Sequence, residues 1–401
     1  MSKIIDKNAE KILYRLNEKG YEAYIVGGCV RDMILGRTPG DWDITTSAKP
    51  EETKACFSHT YDTGIKHGTI TVLMGEKGYE VTTYRIEGEY TDCRHPDEVI
   101  FTRDIHEDLL RRDFTMNAIA YHPEEGFIDP FGGRNDIERK VIRGVGCPEE
   151  RFTEDALRML RAVRFAAQLG FEIETETWNA LREKAPLIKK ISAERIREEL
   201  QKLIMSERPE KINFLTKSGL TEHICVPLAD FLKNRWKETA ASLSAAEKIP
   251  ALRWAVLLNG IGEKEAGKLM KSLKFDTKTM KAVTAVISEA ETGPLTDRYS
   301  TKKTLERMGD SNYLLLLDYY AAVKAEGAEE AKKIYNEIKL RGECVYMKEL
   351  KLNGDSLKKM GVTDGKTIGA ALKASLDEVH RDSSRNDERW LENFVRGRFL
   401  I

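Results

Sequence analysis

The densest chemistry in the chain lies in YIVGGCVRDMILGRTPGDWDITTS, which begins at Tyr24. Gly27 and Gly28 close an apolar run and open a segment that carries Arg31 and Asp32. Glycine has no Cβ, so backbone N–H groups at such a strand-to-helix turn can approach a ligand closely. A helix N-terminus also favours phosphate, and Arg31, one turn on, could reach a triphosphate through two parallel hydrogen bonds. Asp41 and Asp43 follow, two residues apart, so on a strand their carboxylates share one face while Trp42 turns to the core. Mg²⁺ takes few protein oxygens and leaves the rest of its shell to water and substrate phosphates. Paired carboxylates beside a phosphate turn suit it, which makes Asp41 and Asp43 the expected catalytic and metal-binding pair. Glu80, alternating with Thr82 and Tyr84 in YEVTTYR, is a candidate third carboxylate. A glycine pair alone is an ordinary turn, and a lone D-x-D on a strand edge is usually solvated. The spacing G-G-x-x-R-D, eight residues, D-x-D is far more restrictive.

These side chains need a scaffold, and the apolar pattern supplies one. A first amphipathic helix is predicted at about 7–18. After it EAYIV, MILG, WDITTS, GTITVLM, YEVTTYR, MNAIAY and KVIRGV read as short strands, bounded by Gly, Pro, Asp or Asn. Beyond residue 150 the period changes. ALRMLRAVRFAAQLG, ERIREELQKLIM, LRWAVLLNGIG and NYLLLLDYYAAVKAEGAEEAKKIY repeat apolar residues every three or four positions, as helices do. Thr153 and Ser192 are candidate helix caps. The expected fold is α+β, an N-terminal mixed sheet followed by an all-helical extension.

Composition sets the class. Lys plus Arg number 65 against 66 Asp plus Glu, for a net charge of −1, and 41% of the 401 residues are hydrophobic. That excludes a disordered tail protein and a disulfide-stapled miniprotein. Near-neutrality argues against a coating basic protein and leaves room for a local basic groove. The six cysteines show no C-x-x-C pair, MSKIIDKNAEK lacks the apolar stretch of a signal peptide, and no apolar run is long enough to span a membrane. A cytoplasmic protein is expected.

GGCVRD followed by DWD resembles the active-site signature of the DNA polymerase beta-type nucleotidyltransferases. RRDFTMNAIA (111–120), DPFGGR (129–134), EDALRMLRAVRFA (154–166) and SAERIREEL (192–200) are similar, in order, to the remaining motifs of the class II tRNA nucleotidyltransferases. Together these motifs cover roughly residues 22–200; bacterial poly(A) polymerases share them. The resemblance implies a nucleotidyltransferase head (1–145), a helical neck with a nucleotide-selecting motif (146–210), a helical body (211–335) and a tRNA-binding tail (336–401). It implies template-independent addition of C, C and A to tRNA from CTP and ATP, with an A-adding enzyme of a split system or a poly(A) polymerase as alternatives. Gly28 and Arg31 would hold phosphates and Arg112 the nucleotide. Asp113 and Asn117 would tie head to neck, and DPFGGR would hinge them. A polar loop within 87–104 resembles the family's element for the final A. His67 reads as loop chemistry rather than catalysis.

Asp155 and Arg158 are three apart, and on one helix their side chains can sit in one plane. A carboxylate accepts from an exocyclic amine, and a guanidinium donates to a ring nitrogen. Cytosine and adenine both offer a donor then an acceptor along the Watson–Crick edge, whereas uracil and guanine reverse that order. One such pair could therefore select C and A, with Glu154 orienting Arg158. Its other reading is a surface ion pair worth ~0.2–0.5 kcal/mol. Arg161 and Arg164 continue the spacing, to line the nucleotide path or to face solvent. Lys348, Lys351, Lys358, Lys359, Arg396 and Arg398 lie among matching acids, mostly solvated, some available to tRNA phosphates.

Overall fold

The computed structural model describes residues 5–87 and 99–400. The chain divides into two compact units, with the boundary between Trp236 and Lys237. In the first, α1 (Lys7–Glu18) opens on the Asp6 carboxylate, which accepts from the Asn8 and Ala9 N–H groups at 2.9 and 3.1 Å. Its buried residues, Ala9, Ile12, Leu13 and Leu16, form one helical face. There follow β1 (Ala23–Val26), α2 (Gly28–Ile34), β2 (Asp43–Thr46), α3 (Pro50–Cys56), β3 (Thr60–Gly64), β4 (Thr69–Met74) and β5 (Lys77–Thr83). Next come β6 (Arg85–Glu87), β7 (Val99–Phe101), α4 (Ile105–Leu110), β8 (Ala120–His122), β9 (Gly126–Ile128) and α5 (Gly133–Arg139). Seven strands form one mixed sheet in the order β3-β4-β5-β2-β1-β8-β9. Only β2 and β5 pair in parallel within it. Tyr24, Val26, Tyr84, Leu109, Ala118 and Val145 pack as one core cluster against it.

The helical part begins with α6 (Pro148–Glu154) and α7 (Leu157–Leu169), followed by α8 (Thr175–Lys184) and α9 (Ala193–Ile204). Helices α7 and α9 pack together. Ser192 sits at the N-cap of α9 as expected, whereas Thr153 lies inside α6 and donates to the Glu149 carbonyl at 2.7 Å. The second unit is helical. Pro250–Leu258 buries Trp254, and the long apolar run near 312–335 splits into Asp310–Ala322 and Ala328–Leu340, where Lys324 and Gly327 take positive φ. Gly365–Arg381 and Glu388–Phe399 close a core around Leu357, Ala371, Leu376, Val379, Leu391 and Val395. Among the described residues no helix is long and apolar enough to cross a membrane.

Three expected strands differ. MILG is the last turn of α2 and its C-cap, because a short apolar run carries no period of its own and the turn at Gly27 starts a helix. Of MNAIAY only Ala120 and Tyr121 enter β8; Asn117 ends a 3₁₀ turn, Thr115–Asn117. KVIRGV contributes only Val141–Ile142, which pairs in parallel with Glu172–Ile173 outside the main sheet.

Candidate active site

Asp41 and Asp43 line one cavity, although Asp41 falls outside the strand expected to carry both. Asp43 is the first residue of β2 and Asp41 lies two residues before it; both are exposed, and Trp42 between them is buried. Gly27, at the end of β1, has φ +84°, and a Cβ there would lie 3.1 Å from Arg112 Nη1. The positive φ strains any L side chain here, and the arginine would have to give by a few tenths of an ångström. The parallel register sets Glu80 of β5 opposite Asp43. Desolvation in the cleft raises the Asp43 pKa; Arg112 opposes the rise, and Glu80 and Asp41 add to it. Among the described residues no hydrogen bond or ion pair satisfies the Asp41 or Asp43 carboxylate. Two such oxygen donors fit a hard cation that takes its other ligands from phosphate and water. No three His, Cys, Asp or Glu side chains among the described residues converge as a metal cage, so Glu80 stands beside the pair without completing one.

One cavity of about 740 Å³ collects the residues singled out for nucleotide or metal, except Glu80. Gly28, Arg31, Asp41, Asp43, Arg112, Asp155, Arg158, Arg161 and Arg164 all line it. Its wall carries eight arginines and Lys202 against five aspartates, an excess suited to a polyanion.

The arginines are held rather than loose. Arg31 donates to Asn117 Oδ1 at 2.9 Å and to Asp32 at 2.8 and 3.0 Å. Asn117 in turn donates to Asp113 Oδ1 at 3.0 Å, and Asp113 Oδ2 accepts from Arg161 Nε and Nη2 at 2.8 and 2.5 Å. Asp113, between the sheet and α7, is thereby joined to the helical part as expected. Burial alone would raise its pKa, yet the Arg161 charge and these hydrogen bonds hold it at about 2. Arg164 pairs with the buried Glu199 at 2.5 Å. Arg31, Arg161 and Arg164 all lie over the ring of Phe165, at 5.1, 5.4 and 3.9 Å from its centroid. Asp108, fully buried on α4, accepts from Arg111 Nε at 3.0 Å, Arg112 Nη2 at 3.2 Å and Thr45 Oγ1 at 3.1 Å.

Asp155 and Arg158 do not share a helix. Asp155 is the extended residue that ends α6, at φ −136° and ψ 99°, and Arg158 is the second residue of α7. The corner leaves room for a partner that helix spacing would not suggest: Arg195 of α9 donates Nη2 to Asp155 Oδ2 at 2.8 Å and Nη1 to Oδ1 at 3.2 Å. Glu154 does orient Arg158, accepting from Nη1 at 2.7 Å, while the Arg151 and Arg111 carbonyls accept at 3.1 and 2.9 Å.

Asp108, Phe165 and Arg195 were not singled out from the sequence. Asp108 precedes the RRD motif by three residues, which was the one local signal available. Phe165 and Arg195 sit inside recognised motifs, but their partners lie on other turns and helices. DPFGGR forms a capping turn: Asp129 accepts from the Gly133 and Arg134 N–H groups at 2.6 and 2.9 Å, opening α5. Most of the polar loop expected within 87–104 lies outside the described residues.

Known proteins resemble this chain along its length. Residues 23–143 match the family described as Poly A polymerase head domain, 170–232 the RNA and SrmB-binding site of polymerase A, and 250–395 tRNA nucleotidyltransferase domain 2. A CCA-adding enzyme of Limosilactobacillus reuteri is 40% identical over 91% of this chain and 90% of its own. One of Geobacillus thermodenitrificans is 40% identical over 92% and 90%. The crystal structure of the Bacillus stearothermophilus CCA-adding enzyme in complex with CTP superposes with a TM-score of 0.82 at 34% identity, covering 97% of both chains. The Thermotoga maritima CCA-adding enzyme complexed with tRNA, at 23% identity and a TM-score of 0.68, shares the fold.

Proposed function

This chain belongs to the CCA-adding enzymes, the tRNA nucleotidyltransferases, and from that footing we propose that it adds C, C and A to the 3′ end of tRNA. It uses CTP and ATP, needs no nucleic-acid template, and releases pyrophosphate. The observation that carries this reading is the cavity itself, where an unpaired carboxylate pair faces a wall of arginines and an Asp–Arg couple. Asp41 and Asp43 would hold the divalent cation, Mg²⁺ in our reading, which when bound neutralises triphosphate charge and lowers the pKa of the attacking hydroxyl. Gly28 offers backbone N–H to phosphate. Arg31, Arg112, Arg161 and Arg164 grip the triphosphate and fix the α-phosphorus against the RNA 3′-hydroxyl, and that positioning supplies much of the acceleration.

Base choice follows from what Asp155 and Arg158 have left to give. A carboxylate offers about four acceptor positions, and Leu157 N–H and the two Arg195 groups use three of them. Arg158 uses three of its N–H donors in the protein, out of five. One acceptor and two donors remain, the complement of the amine and ring nitrogen that cytosine and adenine share. Uracil and guanine would set carbonyl oxygen against carboxylate. We divide the chain by function into head (1–145), neck (146–210), body (211–335) and tail (336–401), the last gripping tRNA in the cytoplasm.

The test uses three tRNA transcripts, ending before CCA, after C and after CC, each incubated with Mg²⁺ and CTP, ATP or both. Growth that stops at CCA is the expected result, and Asp43→Ala should extend none of them. Addition of A to the CC transcript alone would mean an A-adding enzyme of a split system, and long A tails a poly(A) polymerase.

A further inference from the structure

We infer that Arg195 is a specificity-determining positioning residue, which fixes the Asp155 carboxylate in the single orientation that reads an exocyclic amine. The inference rests on the base-reading role of Asp155 and adds the group that makes it selective. Asp155 is the extended corner residue between α6 and α7, and the corner itself holds its side chain by one bond, from the Leu157 N–H to Oδ1 at 3.1 Å. Arg195 adds the rest of the hold from α9. Its guanidinium meets both carboxylate oxygens, one nitrogen to each, at 2.8 and 3.2 Å. A planar fork on a planar carboxylate fixes the plane as well as the position. The Leu157 N–H at 3.1 Å then takes a second position on Oδ1, so the acceptor left over is on Oδ2.

Arg195 itself is built into the scaffold. It lies in the first turn of α9, a helix that packs on α7, and so it ties the reading corner to the helix bearing Arg158, Arg161 and Arg164. Its side chain is 26% exposed and that of Asp155 is 16% exposed, so the pair faces the cavity rather than bulk water. Without Arg195 the carboxylate has two more open acceptor positions and keeps only the Leu157 N–H bond on Oδ1, about which Oδ2 can swing. It can then turn away from a uracil carbonyl instead of rejecting it, and selection weakens more than chemistry does.

The experiment measures kcat/KM for CTP and for UTP on the transcript that ends before CCA, with Arg195→Met, Arg195→Lys and Asp155→Ala beside the unaltered enzyme. Arg195→Met keeps most of the apolar stem, and Arg195→Lys keeps charge without the fork, so one serves if the other fails to fold. The expected result is a fall of tenfold or more in the CTP-over-UTP ratio for Arg195→Met and a smaller fall for Arg195→Lys. KM for the tRNA should stay within about twofold. Equal losses on both nucleotides, leaving the ratio unchanged, would overturn the inference and reduce Arg195 to a structural tie. If Asp155→Ala also leaves the ratio unchanged, base reading by Asp155 fails; if only the Arg195 variants leave it unchanged, that reading stands and the role given to Arg195 falls.

Discussion

Replacing Asp113 by asparagine should damage the enzyme in two separable ways. The side chain keeps its shape, but the charge that faces Arg161 at 2.5 and 2.8 Å is gone. Asp113 is 8% exposed, and its pKa is held at about 2 against an ordinary 3.8. At 1.36 kcal/mol for each pH unit, that difference corresponds to about 2 kcal/mol of stability at neutral pH. The sign follows from the direction. A depressed carboxylate pKa stabilises above the unfolded value and loses that stabilisation as pH falls through the folded value, so roughly half of it survives at pH 3. The asparagine amide also turns a donor toward a guanidinium, and breaking a buried pair from one side costs about 3–5 kcal/mol. Urea unfolding at pH 7 should therefore show a deficit of about 3 kcal/mol, shrinking by about 1 kcal/mol at pH 3. KM for CTP and ATP should rise together, because Arg161 loses its anchor at the cavity wall. A deficit below about 1 kcal/mol at pH 7, or one that stays constant down to pH 3, would refute the pairing as the source of the low pKa.

Phe165→Leu removes the ring shared by Arg31, Arg161 and Arg164. At about 0.5–1 kcal/mol per contact, the triphosphate KM should rise about tenfold or more with kcat moving less, and a change under threefold in steady-state assays would count against the ring. Gly133→Ala would place a Cβ 2.1 Å from the Thr115 carbonyl oxygen, so backbone must move. A loss of about 3 kcal/mol, seen as a fall of roughly 6–12 °C in Tm, is expected, and an unchanged Tm would mean that α5 shifts freely.

The local motifs were legible through their order and spacing and through the family they resemble, since each alone is an ordinary turn or a solvated face. A glycine pair at a strand end, a carboxylate on either side of a buried Trp42, and the Arg111–Arg112–Asp113 run each report their own surroundings. Nine residues named from such patterns line one cavity. What the spacing missed is longer in range. Arg195 meets Asp155 across 40 residues and Glu199 meets Arg164 across 35, and no local period encodes which helices will face each other. Helix spacing also misplaced Asp155, because the α6–α7 corner falls inside a run with uninterrupted helical character. MILG failed for the opposite reason, since four apolar residues fit a strand or a helix turn equally well.

Six carboxylates serve seven of the cavity arginines: Asp32, Asp113, Glu154, Asp155 and Glu199 hold Arg31, Arg161, Arg158, Arg195 and Arg164, and Asp108 holds both Arg111 and Arg112. Each guanidinium thus arrives with a built-in counterion, fixed at a known place rather than drawn from the salt of the medium. A triphosphate that enters meets guanidinia whose charge is already offset at fixed points, so dissolved salt has less left to screen. That triphosphate shares guanidinia that are already half-satisfied and already aimed. Nucleotide affinity should therefore fall only gently with ionic strength. The enzyme keeps its own electrolyte.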